Sequence, residues 1–435
     1  MSRDIWSSHT GFVLAAIGSA VGIGNIWRFP HLVGQNGGGA FLLAYLLSVL
    51  AIAIPLLLLE LATGRHFTAS VVHCFAGIGR RYRWLGVGVI LLVGGVMSYY
   101  LVIVGWGLGF FARSATGRPL DFDAFTAGWE ALLCFVLALA VVMVVVAGGV
   151  KGGIERANFW LMPLLALLVV ALAVYGLTLE GRAEGLAFYL TPDFSSLTRA
   201  ATWGDAMGQA FFSIGVGTGA MITYGSYISR DTDLHISALW IVFADLLLAF
   251  LVGLMIFPMV FTFGLDPAGG PELAFQTLPV AFSLLPFSVV WGLLFFLLFA
   301  VAGLSSAFSM LETIVAPIID GWGWPRWRAV ALVGGIVLLV GIPSALSYTQ
   351  VDLRLAGEPF LDRLDQNLGT LGIPVAGLLG GLTIAWAMDR LTLSQEINLA
   401  SRWPVGQLVV WLSRYVVPVG MLVTLGVTVA DRWFR

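Results

Sequence analysis

Gly18-Ser19-Ala20-Val21-Gly22-Ile23-Gly24-Asn25 and Ser213-Ile214-Gly215-Val216-Gly217-Thr218-Gly219 are the two stretches whose reading decides the fold. Each lies in the middle of an apolar run long enough to cross a membrane, and each packs three glycines into seven residues. A glycine costs a helix about 1 kcal/mol relative to alanine, so three together weaken the helix where lipid demands an unbroken one. Close helix packing through small residues is one reading. Interruption of both helices at mid-membrane is the other.

Around these stretches the composition is that of an integral membrane protein. Of 435 residues, 59% are hydrophobic and 11% charged, where a soluble domain has about 25% charged. Too few polar side chains remain to coat a water-soluble globule. The formal net charge of −2 shows no bulk basicity, so composition gives no pointer to nucleic acid. Cys74 and Cys134 cannot make a disulfide framework and stand in no metal-ligand spacing with a histidine. Met1-Ser2-Arg3-Asp4 and the glycine-containing run behind it show no cleavable signal pattern.

A bilayer core takes roughly 20 mostly apolar helical residues. Counting such runs predicts eleven spans, near 10–34, 40–64, 84–112, 126–149, 157–179, 205–229, 236–263, 287–317, 327–347, 366–389 and 408–431. Strict alternation, as a membrane barrel would show, is absent, so the expected class is an all-α bundle. With the N-terminus cytoplasmic, thirteen Lys and Arg fall inside and eight outside, Arg28 lying within span 1. That bias predicts N-terminus in, in a cell's inner (plasma) membrane. The stretch holding Trp403-Pro404 and Arg414 reads as a cytoplasmic interfacial helix that then turns into the membrane.

The two glycine stretches lie five spans apart, so their helices cross in opposite directions. Interrupted helices in corresponding positions of two inverted halves point to a transporter. Bare peptide groups at mid-membrane must line a cavity or bind something. Half-helix ends offer N–H groups to a carboxylate and carbonyls to a cation.

Ser19-Ala20-Val21-Gly22-Ile23-Gly24-Asn25-Ile26-Trp27-Arg28-Phe29-Pro30, followed by Asn36-Gly37-Gly38-Gly39-Ala40-Phe41, resembles the first-helix signature of the neurotransmitter:sodium symporter family. Tyr99-Tyr100, the span 6 stretch and Ala302-Gly303-Leu304-Ser305-Ser306 extend the resemblance along nearly the whole chain. It implies the bacterial leucine transporter-like fold: a five-plus-five inverted repeat with helices 1 and 6 unwound, driven by sodium through alternating access. The expected organisation is a first repeat over 1–179, an outer loop over 180–204, a second repeat over 205–390, and an interfacial segment with helix 11 over 391–435.

The resemblance also implies two sodium sites. One comprises the Ala20 carbonyl, the Asn25 amide oxygen, Ser213 and Asp245. The other comprises the carbonyls of Gly18, Val21 and Ala302 with the hydroxyls of Ser305 and Ser306; a Ser-Ser pair bonded back on its own helix is the plainer alternative. A carboxylate as deep as Asp245 costs at least about 2.5–3.5 kcal/mol without a partner. Relatives commonly carry asparagine there, and many need chloride. Tyr45, Gln209 and Ser213 match three chloride-site positions, while the acid that replaces the anion in some bacterial relatives aligns with Ala249. Asp245 is therefore expected to supply the negative charge, and chloride is not expected.

Gly22 stands where monoamine carriers of the family have an aspartate, which implies a substrate bringing its own carboxylate, an α-amino acid. Ala20, Gly22, Gly24 and Tyr100 would surround that carboxylate, and the Phe212 carbonyl with Ser306 would hold the ammonium. Val96, Tyr100, Phe212, Gly215, Thr218, Ser306 and Met310 would line the side-chain subsite. Its neutral character predicts a bulky hydrophobic or aromatic L-amino acid, with Thr218 a candidate acceptor for an indole N–H; a small neutral amino acid is the alternative. Arg28 and Asp365 match an outer gate above Tyr100 and Phe212. Arg3 and Asp320, beside Trp6 and Tyr227, match an inner one. Gly153 and Pro163 match an element whose unwinding lets water reach the second sodium site. Residues 266–286 read as an outer re-entrant hairpin. Glu60 and Glu312 are intramembrane acids without an assigned role. The five histidines form no HExxH-type pair, so an enzyme is not expected; a transporter-derived sensor or channel stays open, as does the oligomeric state.

Overall fold

The computed structural model describes residues 4–267 and 273–434. Among them, nine helices are long and apolar enough to span a membrane, or ten if a bent pair is one span. The bent pair is the first glycine stretch. The helix His9–Ala20 stops, Val21 and Gly22 run extended, and helix resumes at Ile23–Ile26 and Arg28–Gln35 at 56° to the first part. Ser8 starts it as an N-cap, its hydroxyl accepting from the Gly11 N–H at 3.0 Å. The second glycine stretch separates the helix Ala200–Ile214 from Ala220–Gly225. Gly215, Gly217 and Gly219 there all have positive φ, which residues with a Cβ rarely adopt. Neither piece meets a spanning length alone, which is why the count of eligible helices falls short of eleven.

The continuous spans are Gly39–Phe67, Arg80–Ala115, Trp129–Ala147, Val150–Gly176, Leu234–Thr262, Ser288–Trp322, Arg326–Ala345, Phe360–Ala387 and Gly406–Ala430. Their outer faces carry exposed Leu133, Val144, Leu167, Leu339 and Val419, with Trp129, Trp160 and Trp240 also outward, as a lipid-facing surface requires. The described core is one continuous apolar cluster into which helix 1 and both parts of span 6 are sunk.

Several details differ from the sequence reading. Span 5 begins earlier, in a π-helical turn over Val150–Glu155 that runs into the helix Arg156–Gly176, with Pro163 inside it. Span 10 opens at Phe360 and carries another π-helical stretch over Asp365–Gly372. Arg414 lies within the last helix, not in an interfacial one: its Nε donates to the Ala385 carbonyl at 2.7 Å and its guanidinium lies over Trp386. A long arginine reaches the carbonyl end of a neighbouring helix, which is why a charge there is tolerated. A separate short helix, Arg390–Asn398, capped by Asp389, precedes the last one. The 180–204 segment contains the helix Arg182–Leu190. Part of the 266–286 hairpin lies outside the described residues; within the remainder, the helix Leu278–Ser283 packs beside span 8.

Candidate functional site

Asp245 is the centre of one polar cluster. It is fully buried in Leu234–Thr262. The Asn25 Nδ2 donates to its Oδ1 at 2.8 Å, the Tyr45 hydroxyl to its Oδ2 at 3.1 Å, and the Ser213 hydroxyl lies 2.8 and 2.9 Å from its two oxygens. Asn25 Nδ2 also reaches Ser213 Oγ at 2.9 Å, and Asn25 Oδ1 accepts from the Gly22 N–H at 3.2 Å. Gln209 Nε2 donates weakly to the Gly24 carbonyl at 3.4 Å. Four elements thus meet here: the resumed helix 1, span 2, the first part of span 6 and span 7. Ala20 ends His9–Ala20, and its carbonyl is among those a helix terminus leaves without an intrahelical partner.

A second cluster forms where helix 1 meets Ser288–Trp322. The Ser306 hydroxyl lies 3.2 Å from the Gly18 carbonyl, 3.2 Å from that of Val21 and 3.4 Å from that of Ala302. Ser305 Oγ donates to Ala302 O at 2.9 Å. Ser306 therefore faces across to the opened end of helix 1, while Ser305 bonds back on its own turn.

Between the clusters lie the broken backbone and Tyr100. The Ile23 N–H points at the Tyr100 hydroxyl at 3.5 Å. A Cβ on Gly22 would stand 2.8 Å from Ser306 Oγ and 3.2 Å from Tyr100 OH, and one on Gly24 would meet the Phe212 ring at 2.6 Å. Gly215 differs: a Cβ there would make only an ordinary contact, 3.9 Å from Ser19 O. Thr218 turns its hydroxyl onto the Gly215 carbonyl at 2.6 Å. Val96, Thr218 and Ser306 are buried, while Gly215 and Met310 are half-buried.

Above Tyr100 and Phe212 a cavity of about 690 Å³ rises to Arg28, Asp362, Asp365 and Gln366, walled by Trp27, Trp106, Phe122, Phe275 and Tyr348. Val96, Gly215, Thr218, Ser306 and Met310 are not on its lining. Arg28 lies over the Phe212 ring, 5.0 Å from its centroid. Among the described residues no ion pair joins Arg28 to Asp365; they face one water-accessible space from different walls. Asp365 instead sits by Tyr99, since a Cβ on Gly369 would be 2.5 Å from Tyr99 OH and 2.6 Å from Asp365 Oδ1.

The opposite end is closed. Trp6 is buried, its Nε1 donating to Tyr224 O and its backbone N–H to Tyr227 O, both at 3.1 Å. Tyr227 OH donates to Glu312 at 2.6 Å, Arg326 bonds the other Glu312 oxygen at 2.5 Å, and Arg326 reaches Asp4 at 3.1 Å. Asp320 accepts from the Ser70 N–H at 2.8 Å; Arg3 lies outside the described residues. Nearby, the wholly buried Arg65 at the end of span 2 holds the Glu396 carboxylate at 2.7 Å, the Glu396 carbonyl, and the Thr232 carbonyl at 2.7 Å.

The unassigned acids now have places. Glu60 Oε1 accepts from the Gly217 N–H at 2.7 Å, docking span 2 on the broken part of span 6, and Glu312 belongs to the closed end. Asn158 and Glu155 of span 5, which sequence reasoning passed over, both touch helix 1. Ser7 N–H donates to Glu155 Oε2 at 2.9 Å, and Asn158 lies against Gly18. A buried polar residue midway between Gly153 and Pro163 was the available signal for Asn158.

Comparison with known proteins agrees with this architecture. An uncharacterized sodium-dependent transporter of Bacillus subtilis (strain 168) is 36% identical, over 96% of this chain and 96% of its own. Another, from Methanocaldococcus jannaschii, is 34% identical over 96% of this chain and 89% of its own. The crystal structure of MhsT in complex with L-phenylalanine superposes with a TM-score of 0.90 at 38% identity, covering 98% of this chain and 100% of that one. The sequence profile of the sodium:neurotransmitter symporter family matches residues 3–124 and 122–432, and this multi-pass chain, a transporter and not an enzyme, belongs to that family.

Proposed function

We propose that the chain imports a neutral, bulky hydrophobic or aromatic L-amino acid together with sodium, by alternating access, across the inner (plasma) membrane with its N-terminus cytoplasmic. The observation that carries this is the pair of oxygen clusters flanking the broken middle of helix 1, with Tyr100 between them. Asp245 with Asn25, Ser213 and the Ala20 carbonyl forms a hard, anionic oxygen set suited to sodium. Gly18, Val21, Ala302, Ser305 and Ser306 form a neutral one. Both sets are buried, so an ion and a carboxylate bound side by side neutralise each other in a low-dielectric space and bind with positive coupling.

Gly22 and Gly24 leave no room for an acidic side chain, so the carboxylate is the substrate's, held by N–H groups of the resumed helix and by Tyr100. Phe212 and Ser306 hold the ammonium. The uncrowded position of Gly215, where a Cβ would meet only Ser19 O at 3.9 Å, favours a large side chain, as does likeness to a protein crystallised with L-phenylalanine. Sodium-driven uptake in proteoliposomes, competed with all twenty amino acids, tests this. Preference for glycine or alanine rejects the size reading, and current without accumulation would favour a channel.

On this reading Asp245 takes the place of chloride. Tyr45 and Ser213, which match chloride-site positions, both donate to it. Two sodium ions and a zwitterion carry +2, which one fixed carboxylate lowers to +1. Asp245→Asn is expected to lose uptake or to gain a chloride requirement. Wild-type uptake that collapses when gluconate replaces chloride at constant sodium would overturn the assignment.

A further inference from the structure

We infer that a crevice between the start of span 3 and the end of span 10 binds the headgroup of an anionic phospholipid. The inference is independent of what the carrier moves. Gly79-Arg80-Arg81-Tyr82-Arg83-Trp84 joins the short helix Val71–Ile78 to span 3. Arg80–Tyr82 forms a single tight turn, and Arg80, Arg81 and Arg83 are all exposed. Span 10 ends nearby at Ala387. Between the two lies a crevice of about 710 Å³. The turn contributes Arg80, Arg81 and Tyr82 to its lining, and span 10 contributes Leu382, Thr383 and Trp386.

Among the described residues no Asp or Glu lines the crevice, and none of the three arginines is in an ion pair. Arg81 Nη2 donates to the Tyr82 hydroxyl at 2.6 Å, and its guanidinium lies over the Tyr82 ring, 4.7 Å from the centroid. The charge is thus held at the crevice with donors to spare, because a guanidinium has five N–H groups and phosphate oxygens accept them in pairs. The lack of acids also selects among lipids. A choline or ethanolamine headgroup brings an ammonium that would find no carboxylate here and would face two arginines. Phosphatidylglycerol brings its negative charge alone.

Aromatic side chains set the crevice at headgroup depth. Trp84, Trp386, Trp411 and Tyr415 are exposed. Trp386 meets Tyr415 edge-on at 5.6 Å, and the Arg414 guanidinium lies over Trp386. Exposed tryptophan and tyrosine collect at the boundary between lipid and water. Leu382 and Ile78 add apolar surface to the lining, so a lipid gains contacts that a soluble anion cannot. A headgroup seated there ties the Arg80–Tyr82 turn to span 10. It should therefore stabilise the fold where Phe75 already approaches Gly380, at which a Cβ would be 3.5 Å from the ring.

The test uses the full-length carrier in a neutral detergent. Its probes are dioctanoyl phosphatidylglycerol, dioctanoyl phosphatidylcholine and inorganic phosphate, read by equilibrium binding and by the thermal midpoint. Phosphatidylglycerol should bind about tenfold or more tightly than either other probe, and alone should raise the midpoint. Arg80→Gln combined with Arg81→Gln should weaken its binding about tenfold or more. Lys151→Gln combined with Arg156→Gln removes two exposed cations that do not line the crevice, and should weaken it less than about threefold. Thr383→Glu sets a carboxylate in the crevice and should weaken binding as much as the arginine pair does; it decides the matter if that pair does not fold. Equal losses from the two charge-removing pairs would mean diffuse surface attraction and overturn the site. Equal binding of the two lipids, or phosphate binding as tightly as phosphatidylglycerol, would overturn it as well.

Discussion

A methyl group on Gly24 would stand 2.6 Å from the Phe212 ring, and one on Gly22 would stand 2.8 Å from Ser306 Oγ. Gly24→Ala is expected to displace Phe212 and reduce sodium-driven uptake about tenfold or more, with the protein still present in the membrane; uptake within twofold of wild type would show that the ring yields freely. Glu60 gives a second test at this scale. Its removal leaves the buried Gly217 N–H unpaired, so Glu60→Ala should destabilise the fold by about 1–3 kcal/mol, visible as a lower thermal midpoint in detergent. The sequence shows plainly that Asp245 needs partners, and the family resemblance sets Asn25 and Ser213 beside it. Glu60 and Glu312 were visible as costly intramembrane acids, but their partners were not. Glu60 meets a backbone group 157 residues away, and no local pattern encodes such a meeting.

At the scale of elements, two of the three glycines of the second break make unlike demands. Gly215 has φ +70° and only an ordinary contact at its Cβ position, whereas Gly217 has φ +86° and a Cβ there would be 2.7 Å from the Gly377 Cα. Gly215→Ala should therefore cost only the backbone term of about 1–2 kcal/mol. Gly217→Ala should cost clearly more, since span 6 would have to move off span 10, and thermal unfolding of the two variants compares them directly. Glycine spacing foretold that both helices stop at mid-span, because the cost of glycine in a helix is a local property. The π-helical turns over Val150–Glu155 and Asp365–Gly372 were not legible. Each is one extra residue accommodated by packing against other helices, and side-chain chemistry along the chain hardly changes across it.

Taken whole, the molecule is open toward Arg28 and Asp365 and shut around Trp6, Glu312 and Arg326. With the open end outside, a cysteine at Gln366 should react with a membrane-impermeant thiol reagent added externally, and reaction only from the cytoplasmic side would invert the topology. Glu312→Gln removes the acid from a pair in which Glu312 is wholly buried, at a cost of the order of 3 kcal/mol to the closed end. It should shift the carrier toward the other orientation, read as externally added reagent labelling the Gln366 cysteine more slowly. Arg65 gives the closed end a direction. It ties the foot of span 2 to the short Arg390–Asn398 helix and to the chain just before span 7, and it does so with no solvent reaching its guanidinium. The Trp6 flank is held by the Tyr227–Glu312–Arg326 chain, and its rim meets water at Asp4 and Arg326, whose side chains are 47% and 19% exposed. One edge of the shut end is thus sealed from water while the other borders it, so opening there is expected to begin beside Asp4 and Arg326, past the start of the first helix.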